Sequence, residues 1–559
     1  MNLNHSKSFI RFEIKMNILL LYSIFLLKKI FSKKNKILFA FSIKLPYNCL
    51  MLFRGKFMQY IGALDQGTTS SRFIIFNDKG EIVTSHQMEH KQIYPQPGWV
   101  EHDPWEIWDN SCKCIINALK KSDLQGLDIS GLGITNQRET IIAWNPISGK
   151  VWYNAIVWQD LRGSDKIDEI AAKVDPKWIA KKTGLRMSPY FAASKISWLL
   201  DNVEGLREAA EEGDAIFGTI DTWLTWNLTG GDAVVTDVTN ASRYLLMNIE
   251  SLQWDEEMLD LFNIPHNCLP EIVPSSGALY GVTSTSGPFR TVIPVCGILG
   301  DQQAALFGQA CFSEGYGKST YGTGCFLLVN TGETHYISDN GLLTTVAYQI
   351  GDEKPVYALE GSIAVAGSLV QWARDNLQIV DSPQELDELA SSVVNCGGVY
   401  ILPAFSGLFA PYWRSDARGV IAGLTGFATK AHLCKAILNA TAFQAYDIFK
   451  TMEKDSGINI SELKVDGGLT NSQPLMKFQA DLLGIPVIRP EVVETTALGA
   501  AYAAGLSIKV WKNLDELKSQ WKEKKRWEPE MCNEEREIRV RKWKKAVKRT
   551  LNWVGNDDE

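Results

Sequence analysis

An α/β fold of two related halves facing one cleft is what this sequence predicts, and three observations predict it. The first is alternation: from Tyr60 onward, apolar runs of strand length trade places with longer segments of helical spacing. The second is an internal echo. "ALDQGTTSSRFIIF" (63–76) and "GKSTYGTGCFLLVNTG" (317–332) each set glycines and hydroxyls between two strand-like runs, about 255 residues apart. The third is length, since 559 residues suffice for at least two hydrophobic cores.

In chain order, "IGALD" and "RFIIFN" read as strands flanking the hydroxyl-rich turn, and "GEIVTSHQMEH" continues with period-two alternation. "DPWEIWDNSCKCIINALKKS" (103–122) has helical spacing, with Asp103 as cap and Pro104 just inside. "ISGLGITN" (129–136) is a buried strand and "SKISWLLDNVEGLREAAEEG" (194–213) is helical. "VIPVCGILGDQQAALFGQA" (292–310) runs strand, turn, helix. "LKVDGGLTNSQPLMKFQADLLG" (463–484) runs strand, Asp-Gly-Gly turn, helix. "TTALGAAYAAG" (495–505) is small-residue rich, as close helix packing requires. The boundary between halves falls near 305–315, which gives parts at 58–309 and 310–559.

Composition is that of a globular protein, 45% hydrophobic and 22% charged, but charge is unevenly placed. Residues 1–57 hold nine Lys and two Arg against one Glu, a balance of +10. The remainder carries 46 basic and 63 acidic residues, and so acidic a body argues against nucleic acid as a partner. The leader's apolar run, 16–27, is shorter than the ~20 residues a spanning helix needs, and two lysines follow it instead of a cleavage site. It reads as an over-extended gene start, with a targeting or membrane-surface role as the alternative and no stable membrane insertion expected. Ten cysteines without a CxxC pair point to a reduced, intracellular chain and a cytoplasmic location.

Two motifs are sharper in appearance than in substance. "GKST" (317–320) resembles the end of a phosphate loop, but Phe312 stands where the leading glycine belongs. "HQMEH" (86–90) has zinc-protease spacing, yet on a strand four residues span roughly 13 Å, too far for one metal.

The opening turn offers more hydrogen-bonding capacity than a hairpin needs. Amides at Gly67, Thr68 and Thr69 can hold phosphate oxygens, and the hydroxyls of Thr68, Thr69 and Ser70 add donors. Asp65 is placed to hold a divalent cation against that phosphate, and Arg72 to neutralise remaining charge. Gly322-Thr323-Gly324 could clamp the same phosphates from the other half. "NQRET" presents Arg138 beside Glu139 after a buried strand, either a surface ion pair or part of the cleft. In "GDQQ", Asp301 is an N-cap or a base that takes a proton from a substrate hydroxyl.

"ALDQGTTSSR", "GWVEHDP", "GITNQRET", "NAIVWQD", "GDQQAALFGQ", "TYGTGCF", "NGLLTT", "YALEGSI" and "VDGGLTNS" resemble, in order and across 58–553, the FGGY carbohydrate kinase family. The resemblance implies two ribonuclease-H-like domains of the actin/hexokinase/Hsp70 type, with ATP and Mg²⁺ in the cleft between them. It implies transfer of the ATP γ-phosphate to glycerol, giving sn-glycerol 3-phosphate, by a homodimer or homotetramer. By matching motif, Arg138, Glu139, Tyr190 and Asp301 would grip glycerol's hydroxyls with Gln302 assisting, and Asp301 would be the general base. Trp158 and Phe326 would wall the carbon chain. Thr68, Thr69, Ser70, Arg72, Thr323, Gly367, Gln371, Gly468 and Ser472 would bind nucleotide, and Asp65 with Asp301 would hold Mg²⁺. The chain departs from the family pattern at Phe409, where glycine is usual, and at Ser472, where an Asn is often found. At Val292, bacterial members carry an Arg that helps bind fructose 1,6-bisphosphate, so this contact for feedback inhibition is missing. A kinase for another polyol or ketose, and an inactive ATP-dependent scaffold, are the competing readings.

Overall fold

Two large mixed sheets, with one four-stranded and two two-stranded sheets beside them, carry the chain in a computed structural model that describes residues 59–555. The reading of 1–57 as a leader lies outside the described residues. The first sheet has six strands in the order Gly281–Val282, Pro294–Gly300, Ile129–Asn136, Tyr60–Gln66, Ser70–Asn77, Ile82–Glu89. Its outer hairpins are antiparallel, whereas Tyr60–Gln66, Ile129–Asn136 and Pro294–Gly300 run parallel. The second sheet has seven strands: Leu343–Tyr348, Val356–Ile363, Cys325–Gly332, Gly317–Tyr321, Leu463–Asp466, Val487–Pro490, Glu523–Trp527. It repeats the plan, with Gly317–Tyr321 antiparallel to Cys325–Gly332 and parallel to Leu463–Asp466. Both halves therefore place an antiparallel hairpin beside parallel crossover strands, the α/β arrangement the sequence predicts.

Local chemistry explains the elements. All eight residues of Ile129–Asn136 are buried, as a central parallel strand requires. Helix Pro104–Ser122 starts where expected: the Asp103 side chain accepts from the amides of Trp105 and Glu106, and Pro104 needs no donor. The segment 194–213 differs from its reading as one helical stretch. It forms two helices, Ala192–Asn202 and Leu206–Glu212, because Gly205 takes a left-handed conformation (φ 75°) that turns the chain. The helix after Pro294–Gly300 is capped by Gly300, not by Asp301, which is its first residue. The strand runs straight into the helix, and Gly300 is pressed on Arg138, where a Cβ would stand 2.7 Å from Cδ.

Helix Thr495–Ser507 lies across the first sheet although it comes late in the chain. Side-chain-free positions let it approach: a Cβ on Gly133 would stand 2.1 Å from the Ala500 carbonyl oxygen, and one on Gly499 1.9 Å from that of Ala304. The small-residue run of 495–505 is thus a packing face, and it holds helix Asp301–Gly308 in place. No helix among the described residues is long and apolar enough to cross a membrane. His86 of the rejected zinc motif sits on strand Ile82–Glu89, while the His90 ring packs edge-on to His102 at 4.5 Å.

Candidate active site

Arg138 follows strand Ile129–Asn136 and is fully buried. A buried guanidinium needs an anion, and Glu360, on strand Val356–Ile363 of the second half, meets it in a two-pronged contact at 2.6 and 3.0 Å. Arg243 completes the network, donating to Glu139 at 2.6 Å and to Glu360 at 3.3 Å. Burial alone would raise the Glu360 pKa, but Arg138 and Arg243 hold it down at about 2. Glu139 goes the other way: burial raises it against the pull of Arg243 and Arg138, and its backbone is left-handed (φ 60°). "NQRET" is therefore no surface pair.

Asp301 opens helix Asp301–Gly308 with its side chain 32% exposed. Its carboxylate stands 3.1 Å from Arg138 Nε, accepts the Gln302 main-chain amide at 2.8 Å and accepts Gln302 Nε2 at 3.1 Å. The carboxylate is thus oriented from two sides while a third side meets solvent, the disposition a proton acceptor needs.

The Trp158 and Tyr190 rings meet edge to face at 5.5 Å, with the Arg243 guanidinium 5.8 Å from the Tyr190 ring. Trp158 Nε1 donates to Thr68 Oγ1 at 3.0 Å, which ties the aromatic wall to the first turn. Lys195, wholly buried, donates to the carbonyls of Pro189, Tyr190 and Phe191 and so fixes the loop that carries Tyr190. Phe326, on strand Cys325–Gly332, pairs across its sheet with Thr320 and Ser362 and makes no ring contact among the described residues.

The first turn is closed by Gly67 N–H donating to the Ser70 carbonyl at 2.9 Å. Gln92 donates to the Thr68 carbonyl and Gln87 to the Ser70 hydroxyl, while Thr69 is exposed. Arg72 already has an anion: it is ion-paired with Glu494 and donates from Nε to Gln87. The Asp65 carboxylate accepts no hydrogen bond from a described residue. Burial pushes its pKa up to about 7, Arg72 opposing and Glu494 and Asp301 adding to the rise. A recessed carboxylate without a donor, with Asp301 in electrostatic reach, fits Mg²⁺. That ion is typically held by one or two carboxylates, the rest of its shell being phosphate and water. No three His, Cys, Asp or Glu side chains cluster as a metal cage among the described residues.

At the second turn, the carbonyls of Gly322 and Thr323 accept the amides of Ala366, Gly367 and Ser368 at 3.0–3.1 Å, seating the start of helix Gly367–Asp375. Two glycines permit this closeness. A Cβ on Gly367 would stand 2.5 Å from the Gly322 carbonyl oxygen, and one on Gly467 2.4 Å from that of Tyr321. Thr323, Gly367 and the Gly467–Gly468 turn are thereby brought together, with open space around Gly468. Gln371 is exposed on the same helix as Gly367. Ser472 is drawn away: its hydroxyl donates to Asp387 at 2.6 Å and caps helix Gln473–Leu483. Phe409, the other departure, is exposed with its ring 5.9 Å from Trp413.

Reading by motif missed Glu360, Arg243, Glu494, Lys195 and Lys318. The usable signal was a charge embedded in an apolar or strand-like run, as in "YALEGSI" and "GKSTY", since a charged side chain in such a run is seldom buried unless other groups satisfy it.

Comparison with known proteins identifies the family. The profile of the FGGY family of carbohydrate kinases, N-terminal domain, matches residues 60–308, and that of the C-terminal domain matches 317–508. The chain is 57% identical over 502 residues to a glycerol kinase of Paenarthrobacter aurescens, covering 89% of this chain and 99% of the relative. It is 54% identical over 501 residues to a glycerol kinase of Roseiflexus sp., with the same coverage. Among solved structures, Plasmodium falciparum glycerol kinase with ADP superposes with a TM-score of 0.85 at 42% identity, covering 89% of this chain and 99% of that one. A gluconate kinase from Lactobacillus acidophilus shares the fold (TM-score 0.78, 22% identity, 88% and 97% covered). With both halves matched and the ion network joining them, this chain belongs to the FGGY family of carbohydrate kinases.

Proposed function

We propose that this protein transfers the γ-phosphate of ATP to glycerol, giving sn-glycerol 3-phosphate and ADP. The observation that carries the reading is the Asp301 carboxylate, partly exposed yet anchored to Arg138 and Gln302. Relatives named glycerol kinase, at 54–57% identity over nearly their whole length, support glycerol as the acceptor. In this reading Arg138, Glu139, Tyr190 and Gln302 hold the hydroxyls, and Trp158 and Phe326 face the carbon chain. Asp301 takes the proton of the attacking hydroxyl. As that oxygen bonds to the γ-phosphorus, the bond from phosphorus to the bridging oxygen breaks, and ADP leaves with its electron pair.

Such transfer needs positioning and charge neutralisation more than covalent help from the protein. Residues 58–309 would carry glycerol and the γ-phosphate end, with Thr68, Thr69, Ser70 and Arg72. Residues 310–559 would hold the rest of the nucleotide, with Thr323, Gly367, Gln371, Gly468 and, at its edge, Ser472. Asp65 and Asp301 would hold Mg²⁺, which neutralises phosphate charge. A cytoplasmic location and a homodimer or homotetramer complete the reading.

The test follows ADP release from the full chain with Mg²⁺-ATP and glycerol, dihydroxyacetone, xylulose or gluconate. Selective turnover of glycerol is expected; turnover of xylulose or gluconate instead would replace the substrate. Asp301→Asn should lower turnover by about 10²–10⁴ while ATP still binds, and unchanged turnover would refute the base.

A further inference from the structure

Lys318 belongs to "GKST", the stretch that only looks like a phosphate loop. It lies on strand Gly317–Tyr321, and its side chain is completely buried. Nζ donates to Gln302 Oε1 at 2.6 Å and to Thr320 Oγ1 at 2.9 Å, and no carboxylate among the described residues reaches ion-pairing distance. Burial pushes its pKa down, while Asp466, Asp301 and Glu360 oppose the shift from farther off. A buried ammonium held only by neutral oxygens is costly, so its place in the fold calls for a reason.

The reason lies in what an ammonium is unable to do. It has donors and no acceptor. Gln302 must therefore turn its carbonyl oxygen toward Lys318, which sends the amide NH₂ the opposite way. There Nε2 meets Asp301 Oδ2 at 3.1 Å, while the Gln302 main-chain N–H and Arg138 Nε engage Oδ1 at 2.8 and 3.1 Å. Each Asp301 oxygen thus has its own donors, and the carboxylate is held in one rotamer.

We propose that Lys318 is a positioning residue that locks the Gln302 amide in the orientation that donates to Asp301, and so sets the carboxylate for proton transfer. The inference rests on the phosphoryl transfer from ATP to glycerol proposed above. Because Lys318 comes from the second half and Gln302 from the first, the setting is made only when the halves are assembled. An apolar side chain at 318 leaves Gln302 Oε1 without its donor and releases the amide from the carboxylate.

The test is a double-mutant cycle on the full chain, using Lys318→Met, Gln302→Ala and the pair. Lys318→Met should lower kcat roughly 10- to 100-fold, the range seen when a group that orients a reacting residue is lost. KM for ATP and the calorimetric affinity for ADP should stay near wild type. The double variant should be no slower than Gln302→Ala alone, because the two side chains act as one unit. Lys318→Gln, which keeps a donor but adds an acceptor, should recover only part of kcat and serves where Lys318→Met fails to fold. Additive losses in the cycle, equal losses in Met and Gln variants, or a raised KM for ATP would each overturn the relay in favour of direct action on the phosphates. Wild-type protein inactive on glycerol would instead overturn the proposed function, so the two failures are distinct.

Discussion

The two halves open on the same motif, a strand, a glycine turn and an antiparallel return, yet they place their carboxylates differently. In the first half Asp65 stands across from Arg72 and beside Thr135 of the parallel strand. In the second, the position two residues before the turn glycine is Thr320, across from Phe326 and beside Asp466. The acid has moved from one strand to its parallel neighbour, and its surroundings have changed with it. Asp466 is buried and accepts from Gln309 Nε2 and the Thr495 hydroxyl, both at 2.8 Å, which fastens helix Thr495–Ser507 to the sheet. The Asp65 carboxylate accepts from no described residue, and burial holds its pKa near 7. A carboxylate that has its donors works as a fastener, and one without them is free to take a cation.

If that distinction is right, the most heavily engaged carboxylate should matter most to stability. Glu360→Gln takes the charge from between two buried arginines and should cost about 3–5 kcal/mol, read as a lower urea midpoint with an unchanged slope. The pH dependence follows from its sign. With its pKa held at about 2, below the ordinary 4.5, Glu360 contributes stability that is present above pH 4.5 and is lost as pH falls toward 2. The gap between wild type and variant should therefore narrow from pH 5 to pH 3, and a constant gap would deny the charge its role.

Asp65→Asn should do the reverse, cutting turnover on the order of 10²-fold at an unchanged or higher urea midpoint. Asp466→Asn should destabilise by about 1–3 kcal/mol while each folded molecule turns over nearly as before. Lost turnover at full stability in that variant would break the comparison. The smallest effect belongs to Trp158→Phe, which removes the indole N–H that Thr68 accepts on the wall facing glycerol. A cost of about 1 kcal/mol is expected, seen as a roughly fivefold higher KM for glycerol at similar kcat.

Much of this was legible in the sequence because it is decided locally. The Asp103 cap, the turn glycines and the eight-residue buried strand 129–136 depend on residues a few positions apart. Asp301 was legible as an acid at a strand-to-helix junction, though the cap itself is Gly300. The break at Gly205 was not, since helical spacing continues on both sides of it.

The sequence by itself determined the alternation of strands and helices, the paired turns, and an acid at each site where chemistry is expected. Only the tertiary structure decided which of those acids is engaged. Glu360 meets Arg138 across 222 residues of chain, and Arg72 meets Glu494 across 422. Nothing near Glu360 in "YALEGSI" names its arginines, and nothing near Lys318 in "GKSTY" names Gln302. Backbone preference is set within one turn of chain, whereas burial and the identity of a charge's partner are set by whatever the folded chain brings alongside it.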